Sequence, residues 1–90
     1  MIQRGRTLVA WYGCISCHEV PAMPVVGLVG PQLRGVARRS YLAGRLPNTP
    51  ESMIRWIRNP TQVDSDTVMP EMNIGEQDAR DIAAFLYTLH

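Results

Sequence analysis

Three side chains able to form covalent or coordinate bonds fall close together in the run Cys14-Ile15-Ser16-Cys17-His18. This is the C-x-x-C-H spacing of c-type haem attachment. Two thiols three residues apart can reach both vinyl groups of one porphyrin edge. The histidine directly after the second thioether can then place its imidazole over the iron. A C-x-x-C pair without the histidine is less specific. A redox disulfide uses it in a βαβ setting, and no strand pattern surrounds it here. Structural zinc needs four ligands, and beyond this run the remaining histidine is His90 at the far terminus. A plain buried cysteine pair gives the following histidine no task.

A low-spin electron-transfer iron needs a second axial donor. The methionines are Met1, Met23, Met53, Met69 and Met72. Met1 is terminal. Met23 follows His18 too closely to cross readily to the opposite side of a porphyrin. Met53 falls on the apolar stripe of a helix and reads as core. Met69 and Met72 lie in an extended stretch, and spacing alone leaves both open.

The elements that must position these groups read as helices and long loops. Leu8, Val9 and Tyr12 share one face of a helix over about residues 3–12, stopped by Gly13. Residues 19–47 are rich in proline and glycine and read as loop, with one short helical turn at Ser40–Ala43. Thr49 caps a middle helix, with Pro50 at its first position and Glu51 in the first turn. Met53, Ile54 and Ile57 repeat at helical spacing, and Asn59-Pro60 ends the helix. Residues 61–73 read as a second extended loop. Gly75 then caps a helix in which Ile82, Phe85, Leu86 and Leu89 recur at i, i+3, i+4 and i+7. The expectation is an all-α fold: two terminal helices, a middle helix, and loops long enough to wrap something large.

Composition narrows the rest. Ninety residues make one small domain, expected to span 1–90 with a radius of gyration of roughly 12 Å. A core this small commonly needs a cofactor, metal or disulfides, and two cysteines cannot make a disulfide framework. No apolar run approaches the roughly 18 residues of a membrane span. The net charge is +1, all nine basic side chains are arginines, and no basic stripe points to nucleic acid.

The chain resembles the class I, mono-haem cytochromes c over nearly its whole length. The resemblance rests on Gly5, the C-x-x-C-H run, Gly30-Pro31-Gln32-Leu33, Trp56-Ile57-Arg58-Asn59-Pro60, Met69-Pro70 and Ile82-Ala83-Ala84-Phe85-Leu86. It implies the cytochrome c fold: terminal helices crossing with Gly5 against Phe85, and loops around one covalent haem c. In the family the methionine ligand follows the helix-ending proline by nine residues, as Met69 follows Pro60. The resemblance therefore makes His18 and Met69 the iron ligands and Met72 an ordinary apolar residue. It places the Pro31 carbonyl on the Nδ1–H of His18, which would fix the ring. It places Arg39 near a haem propionate, and Trp56 beside the methionine with its N–H toward a propionate or a buried water.

The stretch Ala43-Gly44-Arg45-Leu46-Pro47-Asn48-Thr49-Pro50-Glu51 narrows the likeness further. It is similar to the cytochrome c domain fused to subunit II of bacterial haem-copper oxidases, and to small bacterial cytochromes related to it. The function implied is one-electron transfer in a bacterial respiratory chain, as a carrier or as the electron-accepting domain of a terminal oxidase. The chain is then an electron-transfer protein and not itself an enzyme. The alternative is a redox or gas sensor in which Met69 is displaced. The expected partners are redox proteins: a donor cytochrome or reductase and an acceptor oxidase or other reductase. A monomer is expected, on the periplasmic or extracytoplasmic face of the membrane. The N-terminus lacks a signal-peptide pattern, which would suit a domain cut from a longer or membrane-anchored protein. Part of the uncharged run Val20–Val29 is expected to cover the haem, and any remainder around the exposed haem edge to make an apolar docking patch. Covalent attachment has a direct check: intact mass under denaturing conditions exceeds the polypeptide by one haem, and a bare-chain mass refutes it.

Overall fold

A computed structural model describes residues 2–14, 18, 20–21, 33–67 and 69–90. Cys17, Pro31 and residues 22–29 of the uncharged run lie outside the described residues. The elements run α1 (Ile2–Trp11), a 3₁₀ turn (Val36–Arg38), β1 (Tyr41–Leu42), β2 (Leu46–Pro47), α2 (Pro50–Arg58), α3 (Pro60–Val63) and α4 (Glu76–Leu86). The radius of gyration is 11.7 Å, close to the value chain length predicts.

Among the described residues three of the four helices follow the sequence reading, except that α4 ends at Leu86 and leaves Leu89 beyond it. α1 buries Gly5 and Val9 and half-buries Leu8, and Gly13 ends it in the left-handed region at φ 79°. α2 opens as the capping pattern predicts, with the Ser52 N–H donating to Thr49 Oγ1 at 3.2 Å. α4 buries Ala79, Ile82, Ala83, Phe85 and Leu86.

Two local expectations are corrected. Ser40–Ala43 does not form a helical turn. Tyr41–Leu42 pairs antiparallel with Leu46–Pro47, and the 3₁₀ turn lies earlier, at Val36–Arg38. A two-residue strand is too short for period-two alternation to register. The three-residue connection is turn chemistry, with Ala43 at φ 53° and Gly44 at φ 67°. The second loop also contains structure. Pro60 starts the short helix α3 as well as ending α2, because its fixed φ suits a first helical position.

The terminal helices pack directly on each other, and Gly5 sets their spacing. A Cβ at Gly5 would run into the Asp81 carbonyl oxygen, and would lie 2.6 Å from the Asp81 carbonyl carbon and 2.9 Å from Phe85 Cβ. The crossing therefore involves Phe85, as the resemblance implies, but its tightest point is the main chain of Asp81.

A polar clamp lies beside this contact. The Arg4 guanidinium donates to Asp81 Oδ2 and to Asp78 Oδ1, each at 2.5 Å. Tyr12 Oη–H donates to Asp78 Oδ2 at 2.7 Å, and Gln77 Nε2–H donates to Asp81 Oδ1 at 3.0 Å. Asp81 is only 3% exposed. At the opposite end, Asn48 ties three segments. Its Nδ2 donates to the carbonyls of Val36 at 2.9 Å and Arg39 at 2.7 Å, and its Oδ1 accepts from Tyr87 Oη–H at 2.7 Å.

Gly5→Ala tests the crossing. Alanine improves helix propensity by about 1 kcal/mol. Here it must also displace a neighbouring main chain, which cannot rotate away. Overpacking of this kind costs roughly 1–3 kcal/mol and outweighs the propensity gain. The expected result is a lower denaturation midpoint in the holo-protein; an unchanged or raised midpoint refutes the contact.

The clamp makes a pH prediction. Asp78 is held below the ordinary carboxylate range first by the Tyr12 hydrogen bond and then by Arg4. Asp81 is held down by the Arg4 hydrogen bond, with burial opposing. A depressed carboxyl stabilises the fold above its unfolded pKa, about 3.9, and that contribution is lost as pH falls through the folded value. Asp81→Asn should therefore be less stable than the parent at neutral pH, with the gap closing below about pH 4. Denaturant titrations across pH measure this, and a gap independent of pH would refute it.

Candidate functional site

α1 and α4 together form one wall of a cavity of about 550 Å³, within the range of small-molecule and cofactor sites. Val9 of α1 and Ile82 and Leu86 of α4 face into it. The inner face of α2 supplies Met53, Trp56 and Ile57, and the turn after Leu33 supplies Val36 and Arg39. Met69, Pro70 and Met72 line the remaining side, with Asp64 and Thr67.

The chain leaves α1 through Tyr12 and Gly13 and delivers Cys14 to the same cavity. The His18 N–H donates to the Cys14 carbonyl at 2.9 Å. That bond ties the backbone of His18 to that of Cys14. His18 also lines the cavity. Of the site residues expected from sequence, Cys14, His18, Arg39, Trp56 and Met69 line this one cavity, although they come from four separate segments. Cys17 and Pro31 lie outside the described residues.

Among the described residues the methionines Met53, Met69 and Met72 are buried or half-buried and line the cavity. Met53 is 2% exposed and serves both as core and as wall. At the start of the uncharged run, Val20 is 1% exposed and belongs to the core. A large aromatic on the surface nearby is Trp11, 79% exposed, three residues before Cys14.

The residues present suit a haem. An imidazole and thioethers are donors for iron, a half-buried thiol stands beside the histidine, and the walls are largely apolar. Arg39 adds a cation that matches a carboxylate. Two lining residues, Asp64 and Thr67, have no counterpart in the sequence reading. The Asp-x-Asp pattern at 64–66 was the available signal, because such aspartates fold back on their own backbone. Here the Asp66 N–H donates to Asp64 Oδ1 at 3.0 Å.

The chain matches the cytochrome c family over residues 2–90. It is a member of that family. Among curated proteins it is similar to the protein named "Cytochrome c oxidase subunit 2" of Alkalihalophilus pseudofirmus, 30% identical over 90 residues. That alignment covers 99% of this chain and 26% of the relative, so the chain spans about a quarter of the length of the relative it matches. Cytochrome c domains bind haem, generally covalently, and transfer electrons to and from redox partners, typically outside the cytoplasm. This cytochrome c domain is accordingly a haem-dependent electron-transfer module. Among the described residues no helix is long and apolar enough to cross a membrane.

Proposed function

We propose that residues 1–90 form one domain that carries single electrons in a bacterial respiratory chain, through one haem c attached at Cys14 and Cys17. Its iron ligands in this reading are His18 and Met69. The observation that supports it best is the convergence of Cys14, His18 and Met69 on one apolar-walled cavity. When bound, the haem supplies reversible one-electron exchange between ferric and ferrous iron.

The chain's own residues do the rest. The two cysteines would tether the haem, and the His18 N–H bond to the Cys14 carbonyl keeps the histidine close to the first of them. As in the family resemblance, the Pro31 carbonyl would accept the Nδ1–H of His18, which would keep the ring in one orientation. Met69 donates a soft thioether, which favours the reduced state, and the apolar walls disfavour extra charge in the same sense. Both effects raise the reduction potential. Arg39 would receive a propionate, and the Trp56 N–H a propionate or a buried water, keeping carboxylates compensated beside low-dielectric walls.

The oxidase subunit relative supports a narrower assignment. The domain receives electrons from a donor cytochrome or reductase and passes them to a terminal oxidase, as a free monomer or as a part of a larger subunit. It works on the extracytoplasmic face of the membrane.

Met69→Ala and Met72→Ala separate the two thioethers. Met69→Ala should abolish the sulfur-to-iron charge-transfer band of the ferric form, admit exogenous ligands and lower the potential. Met72 is half-buried, so Met72→Ala should keep the band and cost less than the roughly 2–5 kcal/mol of a fully buried methionine. The reverse pattern would move the ligand to Met72.

A further inference from the structure

The segment that brings Met69 to the cavity is tied to the fold at successive points. The Asp64 N–H donates to the Pro60 carbonyl at 2.9 Å, which caps the end of α3. The Thr67 N–H donates to the Asp64 carbonyl at 3.1 Å, which closes a turn. The Asp64 carboxylate accepts from the Asp66 N–H and pairs with the Arg45 guanidinium at 3.6 Å. Arg45 closes the hairpin connection, so this pair joins two elements that border the cavity. The next tie is on Met69 itself: its backbone N–H donates to Thr67 Oγ1 at 3.1 Å. Beyond it, Glu71 Oε1 accepts from both the N–H and the hydroxyl of Thr61 in the first turn of α3.

We propose that Thr67 is a positioning residue whose hydroxyl fixes the Met69 backbone and so aims its thioether into the cavity. The inference rests on the reading of Met69 as an iron ligand. Pro70 restricts Met69 to extended backbone conformations, because a residue before proline is pushed out of the α region. That constrains the chain on the carboxyl side of Met69. The Thr67 hydroxyl constrains the amide side. With both sides held, placing the sulfur requires ordering only the methionine side-chain torsions, and methionine is otherwise among the side chains that lose most freedom on ordering. Thr67 also lines the cavity, so its hydroxyl acts beside the site. Serine and threonine commonly bond backbone groups two residues on, and valine, which has no acceptor, cannot.

The test uses ferric holo-protein titrated with imidazole, which competes with the thioether for the iron. Loss of the sulfur-to-iron band is followed in the parent, Thr67→Val, Thr67→Ser and Met69→Ala. Thr67→Val keeps shape and removes the acceptor. It should bind imidazole roughly three- to tenfold more tightly, the shift expected when one hydrogen bond supporting the closed state is lost. Thr67→Ser should restore the parental affinity. Parental affinity in Thr67→Val, or a Thr67→Ser variant that behaves like it, overturns the proposal. Retention of the band in Met69→Ala instead overturns the ligand reading, a result read without Thr67. Amide hydrogen exchange in the parent gives a second measurement that needs no variant to fold. The Met69 N–H should be protected, and exchange at the rate of an open amide would also overturn the proposal.

Discussion

With no side chain at Gly5, the carbonyl of Asp81 sits where a Cβ would otherwise project, and α1 and α4 cross at that closeness. The rest of the site depends on this approach. It sets the separation of Val9 from Ile82 and Leu86, which form a continuous wall of the cavity. It also sets where α1 ends, and therefore where Tyr12, Gly13 and Cys14 are delivered. The contact is dispersion and burial, which hold the helices together without orienting them. Orientation comes from the Arg4 clamp, whose guanidinium bridges carboxylates one helical turn apart on α4. A carboxylate as buried as Asp81 is tolerable only because Arg4 and Gln77 occupy its oxygens.

The opposite side of the molecule is built by different means. α2 presents Met53, Trp56 and Ile57 to the cavity, while its carboxyl end holds the returning chain through the Arg58 Nε–H bond to the Ile74 carbonyl at 3.2 Å. Asn48 draws the 3₁₀ turn, the hairpin and the end of α4 together with one amide group. The described segments between helices are thus pinned by side chains that bond main-chain groups as well as by the one short β1–β2 ladder. This is how a chain of this size can give long connections a defined shape. The same division suits electron transfer: a helical wall, a thioether-bearing segment tied at several points, and little that must rearrange when one electron arrives.

Much of this was legible without coordinates. α1, α2 and α4 each carry local signals: apolar periodicity, a threonine cap followed by proline, and a glycine at a terminus. The C-x-x-C-H run is local as well, and names its chemistry through spacing alone. The β-hairpin was missed because two-residue strands carry no period. α3 was missed because Pro60 was read as an ending, although the same fixed φ also starts a helix. The buried Asp81 was hidden for another reason. On α4 it reads as one more charge of an amphipathic helix, and only the arrival of Arg4 from the far end of the chain makes its burial affordable.

By itself the amino-acid order indicated α1, α2 and α4 and marked the C-x-x-C-H run as the candidate for haem attachment, since these signals lie between near neighbours. It also carried the family, through motifs and their spacing. The tertiary structure decided how closely the terminal helices approach, which charges are buried, and which of the scattered residues share one cavity. It brought Asp64 and Thr67 into the same cavity as residues of α1, α2 and α4. Those properties arise from contacts between residues distant in sequence, whose energies depend on exact separation and on exclusion of water, and neither quantity is written in local pattern.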